Sequence, residues 1–312
     1  MIPASAGSTT YSSYKTMTDT TIKSDNLQRF IFDNAPIRGE WVHLTDTWQH
    51  IIKRRQYPAA IQKILGEMIA AAALLAATVK IKGRLVLQTK STGPVDMIMV
   101  ECTSNNTLRG FAQWSGDIAD NATLAELTGE GTLAITIEVE GAKAPYQGIV
   151  NLQDDSIAHI LEAYFKQSEQ LETKIWLAAN DQVAAGLLLQ QLPNEQQDDE
   201  DWSRISQLAN TITPQELLEL GYGTLLHRLF NEEACRLLTN TELSFSCNCS
   251  RDRVVATISL LGEEDAFKLL KEQGNIEVAC EFCNEHYLFD HVDIAQVFSN
   301  SKLTKSNADT LH

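Results

Sequence analysis

The sequence predicts an α+β fold: an N-terminal domain of mixed or antiparallel sheets with flanking helices, a helical linker, and a small C-terminal module built on cysteines. Three observations lead there. Residues 25–193 alternate apolar and polar side chains in short runs separated by turn signals, without regular strand–helix–strand repetition. A proline and five acids then break the composition at residues 192–202 (LPNEQQDDEDW). Finally, Cys247, Cys249, Cys280 and Cys283 form a C-x-C and a C-x-x-C separated by thirty residues, with only two other cysteines in the chain.

Residues 1–24 contain no continuous apolar segment of the kind a secretory signal needs, and read as a disordered extension. Residues 25–193 form the core domain. Its first helix runs over Trp48–Arg54, capped by Asp46 or Thr47, and its second over Ala59–Val79. The Ala-rich run Met68–Val79 is too short for a bilayer and predicts a buried core helix. Strands follow at Arg84–Gln88, Asp96–Cys102, Leu108–Trp114, Thr132–Val139 and Tyr146–Leu152, with Thr92-Gly93-Pro94 turning the first pair. A helix begun by Asp155 or Ser156 reaches Phe165, and strands return at Lys174–Ala179 and Ala185–Gln191.

Residues 194–240 form the acidic, helical linker. One helix covers Trp202–Ala209. A second opens at Thr213, with Pro214 in the first helical position and Glu216 closing a capping box. The third spans Tyr222–Leu238 and carries Leu225, Leu226, Leu229 and Phe230. This segment is apolar enough to need burial and too small to make its own core, so it must dock on a neighbour, with Trp202, Leu225, Leu229 and Phe230 as anchors. Cys235 falls on the third helix with no role assigned, and Cys102 is a plain strand residue.

Residues 241–298 form the cysteine module, and residues 299–312 a tail. Leu243–Ser246 enters as a strand, Ser250 caps a helix, and Glu263–Glu272 makes another helix ended by Gly274. Ile276–Ala279 leads into the second cysteine pair, and Tyr287–Phe289 returns as its hairpin partner. Four thiolates in two local pairs are what one tetrahedral zinc ion needs, at Zn–S distances of about 2.3 Å. His286 and His291 lie nearby, but the four sulfurs already complete the shell. A module this small draws much of its folding energy from the metal. The C-x-C pair adds a second possibility, because its sulfurs can oxidise to each other in a small, strained and easily reduced ring.

No chemistry competes with this site. Four thiolates leave no open position for a reactive water. His43, His50, His159 and His227 are scattered without a nucleophile at recognisable spacing. A disulfide oxidoreductase using Cys280 and Cys283 needs a helix after its C-x-x-C, whereas here a strand is expected. A permanently folded zinc module on a protein-binding scaffold remains the bland alternative. The 312-residue chain has a net charge of −16, which repels nucleic acid, and residues 241–312 hold twelve acids against six bases. No membrane association is expected, and cysteines in metal-ligand spacing fit a reducing, cytoplasmic setting.

Residues 245–253 (FSCNCSRDR) and 280–289 (CEFCNEHYLF) resemble the redox-regulated heat-shock protein 33 chaperones. Residues 25–40, 146–150, 162–171 and 186–193 add to the resemblance, which covers nearly everything after the first twenty or so residues. Asn284 stands where the family often has glycine, and asparagine tolerates the same left-handed backbone. The resemblance implies an ATP-independent holdase for unfolded client proteins, inactive while reduced and zinc-bound. It implies that oxidation links Cys247 to Cys249 and Cys280 to Cys283, ejects zinc, unfolds the module and loosens the linker. It also implies a homodimer in the active state.

Overall fold

The computed structural model describes residues 25–79, 82–193 and 199–308. The expected extension at residues 1–24, the acidic residues 194–198 and the end of the tail lie outside them. Strands β1 (Asn26–Phe32) and β2 (Ile37–Leu44) form an opening hairpin, followed by helices α1 (Asp46–Ile52) and α2 (Ala59–Thr78). Strands β3 (Gly83–Ser91), β4 (Val95–Thr103) and β5 (Thr107–Trp114) meander, and short α3 (Leu124–Thr128) precedes β6 (Gly131–Val139) and β7 (Tyr146–Asn151). Helix α4 (Ile157–Tyr164), capped by Ser156, continues into a π-helical turn before β8 (Thr173–Ala179) and β9 (Ala184–Gln191).

Two sheets result. One has the order β10 (Cys235–Glu242)-β1-β2-β9-β8 and the other β11 (Ser244–Phe245)-β5-β4-β3-β6-β7. Helix α2 lies between them and touches strands of both, in one continuous core. Its central alanines, Ala70–Ala73, are therefore buried on every side rather than along one stripe. Close approach demands small residues: a Cβ on Gly66 would sit 2.5 Å from the Ala179 Cβ. At 20 residues the whole of α2 is long and apolar enough to cross a membrane by length and composition, but it is mostly buried inside the protein, the core helix expected of the Met68–Val79 run.

Helix α1 departs from expectation at its start. Neither Asp46 nor Thr47 caps it. Asp25, distant in sequence, accepts hydrogen bonds from the backbone N–H of Thr45 (2.6 Å), Asp46 (3.0 Å) and Thr47 (2.6 Å). A buried carboxylate thus satisfies the unpaired amides of a helix N-terminus and complements its dipole.

The linker comprises α5 (Asp199–Ala209), α6 (Pro214–Glu219) and α7 (Tyr222–Phe230). Thr213 and Glu216 form the anticipated capping box. These helices cover the face of the five-stranded sheet turned away from α2, burying Ile205, Leu217, Leu225, Leu229 and Phe230 against Phe30, Trp41 and Leu187. Each such side chain contributes about 1.5–3 kcal/mol to docking. His43 Nε2 donates a hydrogen bond to the carbonyl of Leu218 at 2.8 Å, tying α6 to β2.

The third helix ends at Phe230, and the expected continuation to Leu238 is corrected. Residues 235–242 are strand β10, antiparallel to β1, and Cys235 opens a strand rather than riding a helix. The helical spacing of Leu225, Leu226, Leu229 and Phe230 does not persist: Leu237 and Leu238 both face solvent. The chain then forms β11 (Ser244–Phe245), parallel to β5 in the other sheet. Residues 235–245 therefore strap the two sheets together, and the 240/241 boundary falls inside β10.

Candidate metal centre

The C-terminal module adds α8 (Arg251–Leu261), α9 (Glu263–Gln273), the hairpin β12 (Ile276–Ala279) and β13 (His286–Phe289), and α10 (His291–Ala308). Local signals place the cysteines. Ser250 accepts from the Arg253 amide, which starts α8 directly after Cys249. Asn284 takes the left-handed backbone (φ 54°), and its N–H bonds the Cys280 carbonyl at 2.8 Å, closing the second knuckle. The module's own apolar cluster is small, gathered around Phe289, Ile294 and Ala266.

The Sγ atoms of Cys247, Cys249, Cys280 and Cys283 all lie within 4.8 Å of one another. Cys249 and Cys283 approach to 3.3 Å, and Cys247 and Cys280 to 3.8 Å. A tetrahedron with Zn–S bonds of about 2.3 Å has edges of about 3.8 Å, so the four sulfurs fit a four-coordinate metal ion. His286 instead meets Glu277 at 2.7 Å, and His291 packs against the Phe267 ring.

The thiols compete for protons. Burial pushes Cys283 and Cys247 up, and the nearby thiols hold Cys283 up further. Burial also opposes ionisation of Cys249, but hydrogen bonds from the Tyr287 hydroxyl (3.2 Å) and the other thiols outweigh it and lower its pKa. Elsewhere, burial raises the Cys102 thiol to about 12, so that residue is a poor nucleophile.

The core domain reaches into this centre through residues that no sequence motif marks. Arg109 on β5 donates to Asn248 Oδ1 at 2.8 Å, lies 3.9 Å from Cys247 Sγ and stacks 4.2 Å from the centroid of the Phe282 ring. Buried Glu101 holds Arg109 at 2.9 Å and Arg84 at 2.9 Å. Arg54, beyond α1, donates to the Cys283 carbonyl at 2.7 Å, and Arg55 pairs with Glu281 at 2.6 Å. The available signal was charge: Lys53-Arg54-Arg55 is a basic cluster in a strongly acidic chain.

Comparisons with known proteins agree with this architecture. The family profile described as Hsp33 protein matches residues 25–290. The 33 kDa chaperonin of Nitrosococcus oceani is 50% identical over 275 residues, covering 88% of this chain and 94% of that protein. Its counterpart from Chromobacterium violaceum is 45% identical over 276 residues, covering 88% and 94%. The crystal structure of the 33 kDa chaperonin (heat shock protein 33 homolog) from Thermotoga maritima superposes with a TM-score of 0.79 at 23% identity, over 88% of this chain and 98% of that one. That likeness concerns the fold alone. Family profile and relatives together cover the sheets, the linker and the four-cysteine knuckles, and the chain belongs to the Hsp33 family of chaperones, which are not enzymes.

Proposed function

We propose that this protein is a redox-regulated, ATP-independent holdase that keeps unfolded clients from aggregating. The observation that carries the reading is the closed set of four sulfurs, on which a module with a small core depends. In the reduced state Cys247, Cys249, Cys280 and Cys283 hold one zinc ion per chain, which supplies charge neutralisation for four thiolates and folding energy for the module. Oxidation by a peroxide proceeds in two steps at each pair. One thiolate sulfur attacks the peroxide, becomes a sulfenic acid and releases hydroxide; a second thiolate attacks that sulfur and displaces a second hydroxide to leave a disulfide, and both hydroxides take protons from solvent. Each pair gives up two electrons, and one peroxide is reduced to two waters.

The pairs are Cys247–Cys249 and Cys280–Cys283, because sequence neighbours still meet once the module loosens. With the thiolates spent, the four sulfurs no longer hold metal, the module unfolds and the linker loosens. The active form is a homodimer in the cytoplasm, acting on unfolded polypeptides and not on nucleic acid or membranes. The test is suppression of aggregation of a chemically unfolded protein before and after peroxide, with released zinc followed by a chromogenic chelator and disulfides by peptide mapping. Holding confined to the oxidised, zinc-depleted protein supports the reading. A permanently folded scaffold would keep its zinc and respond to neither treatment, and a majority of cross-pairs such as Cys249–Cys283 would count against the switch.

A further inference from the structure

Phe111 and Val86 are buried, yet neither belongs to the three apolar clusters of the protein. Both lie on the outer face of the six-stranded sheet, since alternate residues such as Leu85, Leu87, Leu108 and Ala112 face α2. Phe111 is covered by a side chain from the other end of the chain. The Phe282 ring, between the two cysteines of the second knuckle, meets it edge to face, with centroids 4.9 Å apart and planes at 87°. Arg109 also contacts this ring as a cation over its face. The seat is prepared in advance, because Arg109 is fixed by buried Glu101.

The seat continues across the sheet. Strand register places Phe111 beside Met99, Met99 beside Gln88, Gln88 beside Ala134, and Ala134 beside Ile149. At the far end of this row Ile149 is 63% exposed. At the end by Phe111 the row is covered by an aromatic side chain of the chain's own cysteine module. Such a row, one end aromatic and cationic and the middle carrying a pliable methionine, suits varied apolar partners.

We propose that this sheet face is a client-binding surface that accepts aromatic side chains of unfolded polypeptides, and that Phe282 is an internal stand-in that occupies it while the module is folded. The inference rests on the holdase reading and gives it a location. Release of the second knuckle withdraws Phe282 and vacates the Phe111–Arg109 seat for a client ring.

The test uses the full chain and reduced, carboxymethylated α-lactalbumin, a permanently unfolded polypeptide. Phe282→Ala, reduced and with its zinc content measured, should bind this probe about tenfold more tightly than reduced wild type, because the stand-in is gone while the metal stays. Oxidised Phe111→Ala should bind about tenfold more weakly than oxidised wild type, and oxidised Ile149→Lys should also weaken. Ile149→Lys changes an exposed position and keeps the test valid if Phe111→Ala fails to fold. Wild-type affinity in oxidised Ile149→Lys and Phe111→Ala, or no gain in zinc-loaded Phe282→Ala, overturns the seat while leaving the holdase reading intact. An oxidised wild type that binds no probe overturns both.

Discussion

The two sheets of the core each carry a cover, and different forces hold the two covers down. Over the five-stranded sheet the linker helices are fixed by a broad apolar cluster running from Phe30 to Cys235. Over the six-stranded sheet the C-terminal module has a much smaller cluster of its own and meets the core through Arg54, Arg55, Arg109 and one aromatic seat. Apolar burial is indifferent to oxidants, whereas a cover organised on four sulfurs answers to them directly. Under the proposed switch, the difference would set an order of failure: the sulfur-based cover would yield first, and the linker would follow once its burial is also weakened.

The largest effect expected from this contrast comes from removing a sulfur. Cys283→Ser should lose metal retention and make residues 246–290 sensitive to protease, while residues 25–193 still melt cooperatively. Structural zinc contributes about 10–16 kcal/mol in small finger peptides, far more than this module's few buried side chains supply. A protease-resistant module in the variant would erase the distinction between the covers. Next in size, Phe230→Ala should weaken linker docking by about 3–5 kcal/mol while the metal stays bound. Hydrogen exchange should rise in α5–α7 and not in β12–β13; a parallel rise in both would mean that the covers act as one unit.

A smaller effect is expected from pH. Burial holds the His43 imidazole below its ordinary value of 6.5, despite its hydrogen bond to Leu218. Its folded pKa lies below the unfolded one, so linker docking is at full strength above about 6.5 and weakens as pH falls through the depressed value. Exchange rates in α6 measured down to about pH 5 should show this, and His43→Gln should flatten the response. The smallest effect belongs to the linker's capping box: Thr213→Ala should cost about 1 kcal/mol of α6 stability, read as a modest shift in thermal unfolding.

What could be read in the sequence was local. Ser250, Thr213 with Glu216, Gly274 and Asn284 act within a few residues of themselves, and each takes its expected place. The cysteine knuckles belong to the same class. The parts that escaped are non-local. Strand β10 exists because β1 offers it an edge, not because Cys235–Glu242 alternates cleanly, and α1 is capped by a carboxylate from residue 25. Arg109 and Phe111 look like ordinary positions on a strand until the fold brings Phe282 to them. A single sequence carries no trace of that meeting beyond the basic cluster Lys53-Arg54-Arg55 in an acidic chain.

Strands β9 and β10 belong to the same sheet, and the linker runs between them. The linker is thus a closed loop anchored at both ends, not a dangling tail. When its helices lift off, Gln191 and Cys235 stay where they were, and the freed segment remains tethered above the face it left. Closing such a loop costs an entropy that grows only logarithmically with its length. Recapture is therefore a unimolecular event at high effective concentration, with a rate independent of how much protein is present. The sheet that retains the linker's ends therefore sets the pace at which its own cover is restored, and dilution does not slow that return.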